Sequence, residues 1–320
     1  MLREVLAQIA EKESHSANPS PSVVTIGTFD GVHRGHQHLL GEVARHARAS
    51  GARAIALSFN PRPTEVLRPD MPSFYLCSIE ERVERLRAAG ADAVAVIPFT
   101  RDVARTSALE FVSLLVETLR MRELVGGPDL ALGRGREGTP DVLRAFGARL
   151  GFTVTIVPGL EIDGEAVHTS DIQRLLLAGD IERAAIRLGR PYQVEGQIVH
   201  GEGRGRTIGI PTANVAVGEK IILPRDGIYA VHFLYNGQRW PGAASLGYRP
   251  TFDGTTRLLE VHILDFHGDL YGKTCRVEFV RWLRPELRFT GIDALIEQIA
   301  QDIREVRYVL GIRESPCSLA

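Results

Sequence analysis

Cysteine is scarce in this chain, with three in 320 residues: Cys77, Cys275 and Cys317. The number is odd and the spacing matches no metal-ligand pattern. A disulfide framework and a cysteine-bound metal are therefore excluded, and reduced thiols are expected. Net charge is also nearly absent, at −1 from 38 basic and 39 acidic residues. No global pull toward nucleic acid or anionic lipid follows, so any nucleotide site must be built locally. No apolar run approaches the roughly 18 residues a membrane span requires. Residues Met1 to Glu13 mix acids and bases and lack the apolar core of a secretory signal. The expectation is a cytoplasmic protein without nucleic-acid or membrane partners; its oligomeric state cannot be read from these features.

Hydrophobic content of 44% and charged content of 24% are ordinary for a globular protein. At 320 residues the chain exceeds one typical core, so two domains are expected, residues 1–187 and 188–320. In the first, short apolar runs alternate with helical patterns. Strands are expected at Val23–Ile26, Ala54–Phe59, Ala93–Ile97, Glu123–Val125 and Thr153–Val157. Helices are expected near Gly35–Ala49, Ile79–Ala89, Ala108–Arg120 and Pro140–Leu150. That alternation implies an α/β domain with a parallel sheet, whose ligands sit beyond the carboxyl ends of the strands. Ser14–Ser22 reads as a short Ser/Pro linker.

After Gly189-Arg190-Pro191 the texture changes to evenly spaced strands between Gly and Pro turns: Tyr192–Val199, Tyr229–Tyr235, Trp240–Leu246, Leu258–Leu264 and Thr274–Val280. An antiparallel β-barrel or sandwich is expected. A closing helix carries Ile292, Leu295, Ile296, Ile299, Ile303 and Val306 at helical spacing, an apolar stripe to pack on the barrel.

Two stretches carry the chemistry. Gly27-Thr28-Phe29-Asp30-Gly31-Val32-His33-Arg34-Gly35-His36 lies between a strand and a helix. A glycine-rich turn there presents backbone N–H groups and a helix N-terminus to an anion. His33 and His36, three apart on the first helical turn, project to one side. The second stretch runs from Gly201 to Asn214. Its glycines permit close backbone approach to phosphates, Arg204 and Arg206 can pair phosphate oxygens, and Thr212 and Asn214 offer hard oxygen ligands. A flexible hairpin loop with solvated arginines is the alternative. Glu260, on the face of its strand opposite Leu259, Val261 and Ile263, is either a shielded base or an exposed edge residue.

In this order the two stretches resemble the bifunctional riboflavin kinase/FMN adenylyltransferase family. Asp226-Gly227-Ile228-Tyr229, Gly247–Phe252, Glu260–Gly272 and Leu283–Phe289 continue the resemblance. It implies a Rossmann-like nucleotidyltransferase domain followed by an antiparallel flavokinase barrel with a C-terminal helix. It further implies ATP, riboflavin and FMN as substrates and Mg²⁺ bound with ATP. Implied catalytic residues are Glu260, as base on the ribityl hydroxyl, with His33 and His36. Implied nucleotide contacts are Gly27, Phe29, Asp30, Gly35, Asp129, Ser170, Gly203, Arg206, Thr207 and Gly209. Implied Mg²⁺ ligands are Thr212 and Asn214.

The N-terminal half departs from the family pattern in a cluster. Phe59-Asn60-Pro61-Arg62-Pro63 stands where the family has an acid at the second position and a histidine at the fourth. Leu130 and Leu132 replace two aromatics. His168-Thr169-Ser170-Asp171-Ile172-Gln173 stands where a helix-opening motif ends in arginine; Ser170 and Gln173 are expected to form a capping box instead. Gln173 cannot make the charge-assisted contact of an arginine. The alternative to two activities is therefore riboflavin kinase alone, with the first domain a non-catalytic or altered-specificity nucleotide-binding module. A flavin-binding regulator without turnover is a further alternative, disfavoured by Glu260, since binding alone needs no base.

Overall fold

The computed structural model describes residues 2–11, 20–201, 205, 208–251 and 254–312. The chain forms two compact units, Met1–Thr169 and Ser170–Ala320.

The first unit is built on five parallel strands: β1 (Ser22–Gly27), β2 (Arg53–Phe59), β3 (Ala93–Ile97), β4 (Met121–Gly126) and β5 (Thr153–Ile156), in the order β3-β2-β1-β4-β5. Strand β1 is central, paired with β2 from Ser22↔Arg53 to Gly27↔Ser58 and with β4 on its other side. The order reverses between β1 and β4, which opens a crevice at their carboxyl ends. Both faces of the sheet are covered, so its strands are continuous apolar runs. Val24 and Ile26 pack with Leu6 of α1 (Leu2–Glu11), with Phe111, Val112 and Leu115 of α6 (Ala108–Leu119), and with Leu143 of α7 (Pro140–Leu150). Val23 packs on the opposite face with Val43, Ala44 and Ala47 of α2 (Arg34–Ser50). The remaining helices of this unit are α3 (Pro63–Leu67), α4 (Ile79–Ala88) and α5 (Arg101–Arg105). A two-stranded hairpin, β6 (Glu161–Ile162) and β7 (Glu165–Ala166), ends the unit and was not anticipated; its strands are too short to give an alternation signal.

The second unit opens with α8 (Thr169–Ala178) and α9 (Ile181–Leu188) and continues into a closed antiparallel barrel. Its strands are β8 (Tyr192–Val199), β9 (Ala213–Val217), β10 (Gly227–Tyr235), β11 (Gln238–Thr251), β12 (Gly254–Ile263) and β13 (Thr274–Arg284), ordered β10-β11-β12-β9-β8-β13. Tyr229, Val231, Phe233, Val277, Phe279, Leu259 and Val261 are fully or almost fully buried. The ring of Tyr229 meets Phe279 edge-on, with centroids 5.0 Å apart. Strand β9 adds to the strands expected from the sequence. Ala213-Asn214-Val215 is a short piece with one polar member, and only pairing with β8 and β12 identifies it as a strand.

Two helix expectations are corrected. Helix α8 starts at Thr169, one residue ahead of the expected cap, so Ser170 lies in the first turn. The final helix, α10 (Ile292–Val309), does not lay its whole apolar stripe on the barrel. Val306 packs with Ala230 and Leu264, whereas Ile292 is 58% exposed and Ile296 is 38% exposed. The helix is anchored through its second half. Asp302, 4% exposed, receives Nε and Nη2 of Arg284 at 2.7 and 2.6 Å, and Gln298 adds a third bond at 3.0 Å.

Removing one partner of such a pair strands the other charge. Asp302→Ala is expected to destabilise the second unit by about 3–5 kcal/mol, measured by urea unfolding; a loss under ~1 kcal/mol, the range of an exposed pair, would contradict this anchoring role.

Candidate functional site

Two sites emerge, one in each unit. In the first, β1 ends at Gly27 and the chain turns through Phe29 (φ 48°), Asp30, Gly31 (φ 71°) and Val32 (φ 40°) before α2 begins at Arg34. The turn thus sits at the carboxyl end of the central strand. Gly27 is needed because a Cβ there would come within 3.0 Å of the Phe29 ring. Gly35 serves similarly, since a Cβ would press on the His33 imidazole and on the Val167 carbonyl at 3.2–3.3 Å.

The histidines are arranged differently from two residues on one helical turn. His33 is the N-cap of α2, and its Nδ1 accepts the His36 backbone N–H at 3.4 Å. In a neutral imidazole that bond leaves the proton on Nε2. The two rings stack with centroids 3.6 Å apart, and Phe29 meets His36 edge-on at 5.2 Å. Burial, the neighbouring His33 and the positive field of Arg82 push the His36 pKa well below that of an exposed imidazole. His36 is neutral at physiological pH, and its Nδ1 is buried without a hydrogen-bond partner.

Asp30 is completely buried. One oxygen accepts the Leu76 backbone N–H at 2.9 Å. Arg62 stands 3.6 Å and Arg82 3.9 Å from its carboxylate. Burial raises the Asp30 pKa and the two arginines oppose that rise. Sequence reasoning did not single out Arg82, an arginine with 1% exposed side chain that bonds to Ser58 Oγ and to the Phe59 carbonyl. Its only signal was a lone cation on the inward side of α4. Cys77 accepts the Gly31 N–H at 3.3 Å, and burial pushes its thiol up to about 12, so it is no nucleophile here.

Asp129 lies in the exposed turn after β4, on the other side of the crevice from the Gly27 turn, and its carbonyl accepts Arg136 Nη2 at 3.0 Å. A cavity of about 550 Å³ in this unit is walled by Phe59, Phe99, Val66, Leu67 and Leu132. Arg101, Arg105, Arg134 and Arg136 also line it. Ser170, Asp171 and Gln173 lie on α8 of the second unit, where Asp171 pairs with Arg174 at 3.4 Å.

The second site is a cavity of about 600 Å³ in the barrel unit. Thr212, Asn214 and Glu260 all line it. Backbone register explains their meeting: Asn214 on β9 faces Glu260 on β12, and Glu260 faces Ser245 on β11. Asn214 is 9% exposed, buried for an amide. A Cβ on Gly201 would lie 2.3 Å from the Asn214 amide, so only glycine leaves that side chain in place. The His262 ring nitrogen Nδ1 lies 2.8 Å from the Pro211 carbonyl, tying the Pro-Thr-Ala-Asn segment to β12. Ile208, Ile210, Leu287, Phe289, Ile292 and Leu295 give the cavity apolar walls. The exposed first turns of α10 are thus part of the site. Gly209, between the lining residues Ile208 and Ile210, adopts φ 76°. Gly203, Arg204, Arg206 and Thr207 lie outside the described residues. Glu286, which sequence reasoning did not single out, accepts Ser245 Oγ at 3.3 Å and rests against Gly247.

Comparison with known proteins agrees with both halves. The family described as FAD synthetase matches residues 15–171, and that described as Riboflavin kinase matches residues 188–310. The chain is 36% identical over 287 residues to a bifunctional riboflavin kinase/FMN adenylyltransferase of Listeria monocytogenes, covering 89% of this chain and 91% of that one. It is 36% identical over 303 residues to the protein of the same description from Escherichia coli K12, covering 93% and 96%. A crystal structure described as a macrolide-efflux protein from Streptococcus pneumoniae aligns at TM-score 0.85 with 31% identity, over 92% of this chain and 96% of that one. No helix among the described residues of the present chain is long and apolar enough to cross a membrane.

Displacing the Asn214 amide tests the barrel site without touching a ligand-facing side chain. Gly201→Ala is expected to lower turnover at the barrel site by ~10²-fold, the order seen when a reacting group is misplaced by about an ångström. Steady-state assay of phosphoryl transfer checks this, and an unchanged rate would remove Asn214 placement from the account.

Proposed function

The chain belongs to the bifunctional riboflavin kinase/FMN adenylyltransferase family, and we propose that it carries out both reactions, each in its own unit. The barrel phosphorylates riboflavin to FMN with ATP, and the α/β unit joins AMP from ATP to FMN, giving FAD and pyrophosphate. The matches extend over both units, which favours two activities over a kinase with an inert N-terminal module. In this reading the adenylyltransferase part spans residues 1–187 and the kinase part 188–320.

The observation that carries the kinase assignment is the Asn214–Glu260 register inside a cavity with apolar walls. The ring system of riboflavin suits those walls, and the ribityl chain then reaches toward β9 and β12. Glu260 accepts the proton of the terminal hydroxyl as its oxygen attacks the γ-phosphorus, and ADP leaves. The residues present also fit a magnesium ion. Thr212 and Asn214 supply two hard, neutral oxygens, and no group of three His, Cys, Asp or Glu able to hold a metal occurs among the described residues. Such a set suits an ion that arrives on the nucleotide rather than one in a permanent protein cage. Bound there, Mg²⁺ neutralises charge on the phosphates.

In the α/β unit, a phosphate oxygen of FMN attacks the α-phosphorus of ATP. The bond from that phosphorus to the bridging oxygen breaks and pyrophosphate departs. No protein nucleophile is required. The turn at the end of β1 and the N-terminus of α2 cradle the phosphates with backbone N–H groups. His33 donates through Nε2, and neutral His36 supplies a hydrogen bond without an acid–base role. The cavity with Phe59, Phe99 and four arginines suits an aromatic ring carrying a phosphate. Val66, Leu67 and Leu132 supply apolar contact beside those rings.

Two substitutions separate the reactions. His36→Ala is expected to lower FAD formation from FMN by ~10²–10³, the cost of one lost stabilising donor, while FMN production from riboflavin stays within about twofold. Parallel chromatographic assays of FMN and FAD read both. Glu260→Gln should lower FMN production by about 10²–10⁴ and leave ATP binding intact by calorimetry. Joint loss of both activities in either well-folded variant would sink the two-site reading.

A further inference from the structure

Arg62 and Arg82 bracket the turn that leads into His33 and His36. The Arg62 guanidinium carbon lies 4.3 Å from the centre of the Tyr75 ring and that of Arg82 lies 5.3 Å from it. Both face the single Asp30 carboxylate, at 3.6 and 3.9 Å. Neither distance is that of a formed hydrogen bond. The Asp30 oxygen nearest Arg62 has no hydrogen-bond partner, and the Nε of each arginine is buried without one. Two cations therefore share one anion, loosely, with donors unused. The nearby carboxylates have other partners: Glu65 accepts the Tyr75 hydroxyl at 2.5 Å, and Glu81 pairs with Arg85 at 2.5 Å.

Buried guanidinium donors without acceptors are costly and point to an absent anion. His36 does not supply the missing positive charge, because burial, the neighbouring His33 and the field of Arg82 hold its pKa well down. Arg82 is fixed by Ser58 Oγ and the Phe59 carbonyl. Arg62 is the more exposed of the two, its side chain at 14% against 1% for Arg82. Its Nη2 donates to Ser73 Oγ at 2.7 Å and to the Phe74 carbonyl, in a loop where Phe74 is 47% exposed.

We propose that Arg62, backed by Arg82, is the cation that grips the departing pyrophosphate at the α/β site. The inference rests on the adenylyltransferase reading above. A guanidinium fork can pair two oxygens of a diphosphate at once, which Asp30 at 3.6 Å does not satisfy. Arg82 then remains with Asp30 and preserves the turn. Arg62 is thus the residue at which this chain, by replacing a histidine of the family pattern, strengthens its hold on phosphate.

Calorimetric titration of the full chain with inorganic pyrophosphate tests this. Arg62→Met is expected to weaken binding about tenfold or more, and Arg62→Lys less, since lysine keeps the charge and loses the fork. Thermal unfolding identifies which variants are folded; if the Met variant is not, the Lys variant decides. Pyrophosphate held by the barrel unit is common to all three proteins, so the difference reports Arg62. Binding within about twofold of the parent in the folded variants would overturn the proposal. FAD formation from FMN and ATP by the parent protein is measured beside it. No FAD, together with Arg62-dependent pyrophosphate binding, would sink the adenylyltransferase reading and leave the anion site. FAD formed by a parent whose pyrophosphate binding ignores Arg62 would do the reverse.

Discussion

A carboxylate wholly removed from water, Asp30, is the point to which the α/β unit is organised. It accepts the Leu76 N–H and lies against Arg62 and Arg82. Three chain segments meet there: the turn after β1, the Pro61–Tyr75 stretch after β2, and helix α4. Burying that charge unpaired would cost several kcal/mol (~3–5 for a broken buried pair), so a cation must stand beside it. The arginines set the charge of the turn, and the field of Arg82 reaches His36, whose pKa burial pushes well down.

The barrel unit solves a similar problem with backbone pairing instead of charge. Side chains on adjacent antiparallel strands at facing positions lie about 4.5–5.5 Å apart at Cβ. Glu260 is placed between Asn214 and Ser245 by register alone. A one-residue slip would turn Glu260 into the barrel core, where Leu259 and Val261 now sit, so the packed interior fixes the face on which Glu260 lies. Gly201 and Gly247 then clear room for the Asn214 amide and the Glu286 carboxylate. Positioning without covalent chemistry is what phosphoryl transfer demands.

Much of this was legible in the sequence. The parallel sheet, the barrel and the glycine-rich turn follow from periodicity and punctuation, which report burial locally. The strand placement of Asn214 was not legible, because a short strand is defined by its neighbours. Nor was the role of Arg82, since an inward arginine on a helix looks like any other charged residue until its partner is seen. His33 as an N-cap rather than a helical residue depended on a boundary one position away. The exposed start of α10 departs in the opposite sense: an apolar stripe at helical spacing implies a packed face, whereas Ile292 and Leu295 line a cavity.

Two sites that share ATP and pass one product between them make a labelling prediction. The protein would be given riboflavin with ATP labelled at the γ-phosphate in one reaction and at the α-phosphate in another. The account predicts FAD labelled in both, with the γ-label in its FMN half and the α-label in its AMP half. Labelled FMN from γ-labelled ATP, with no flavin product carrying α-label, would contradict it.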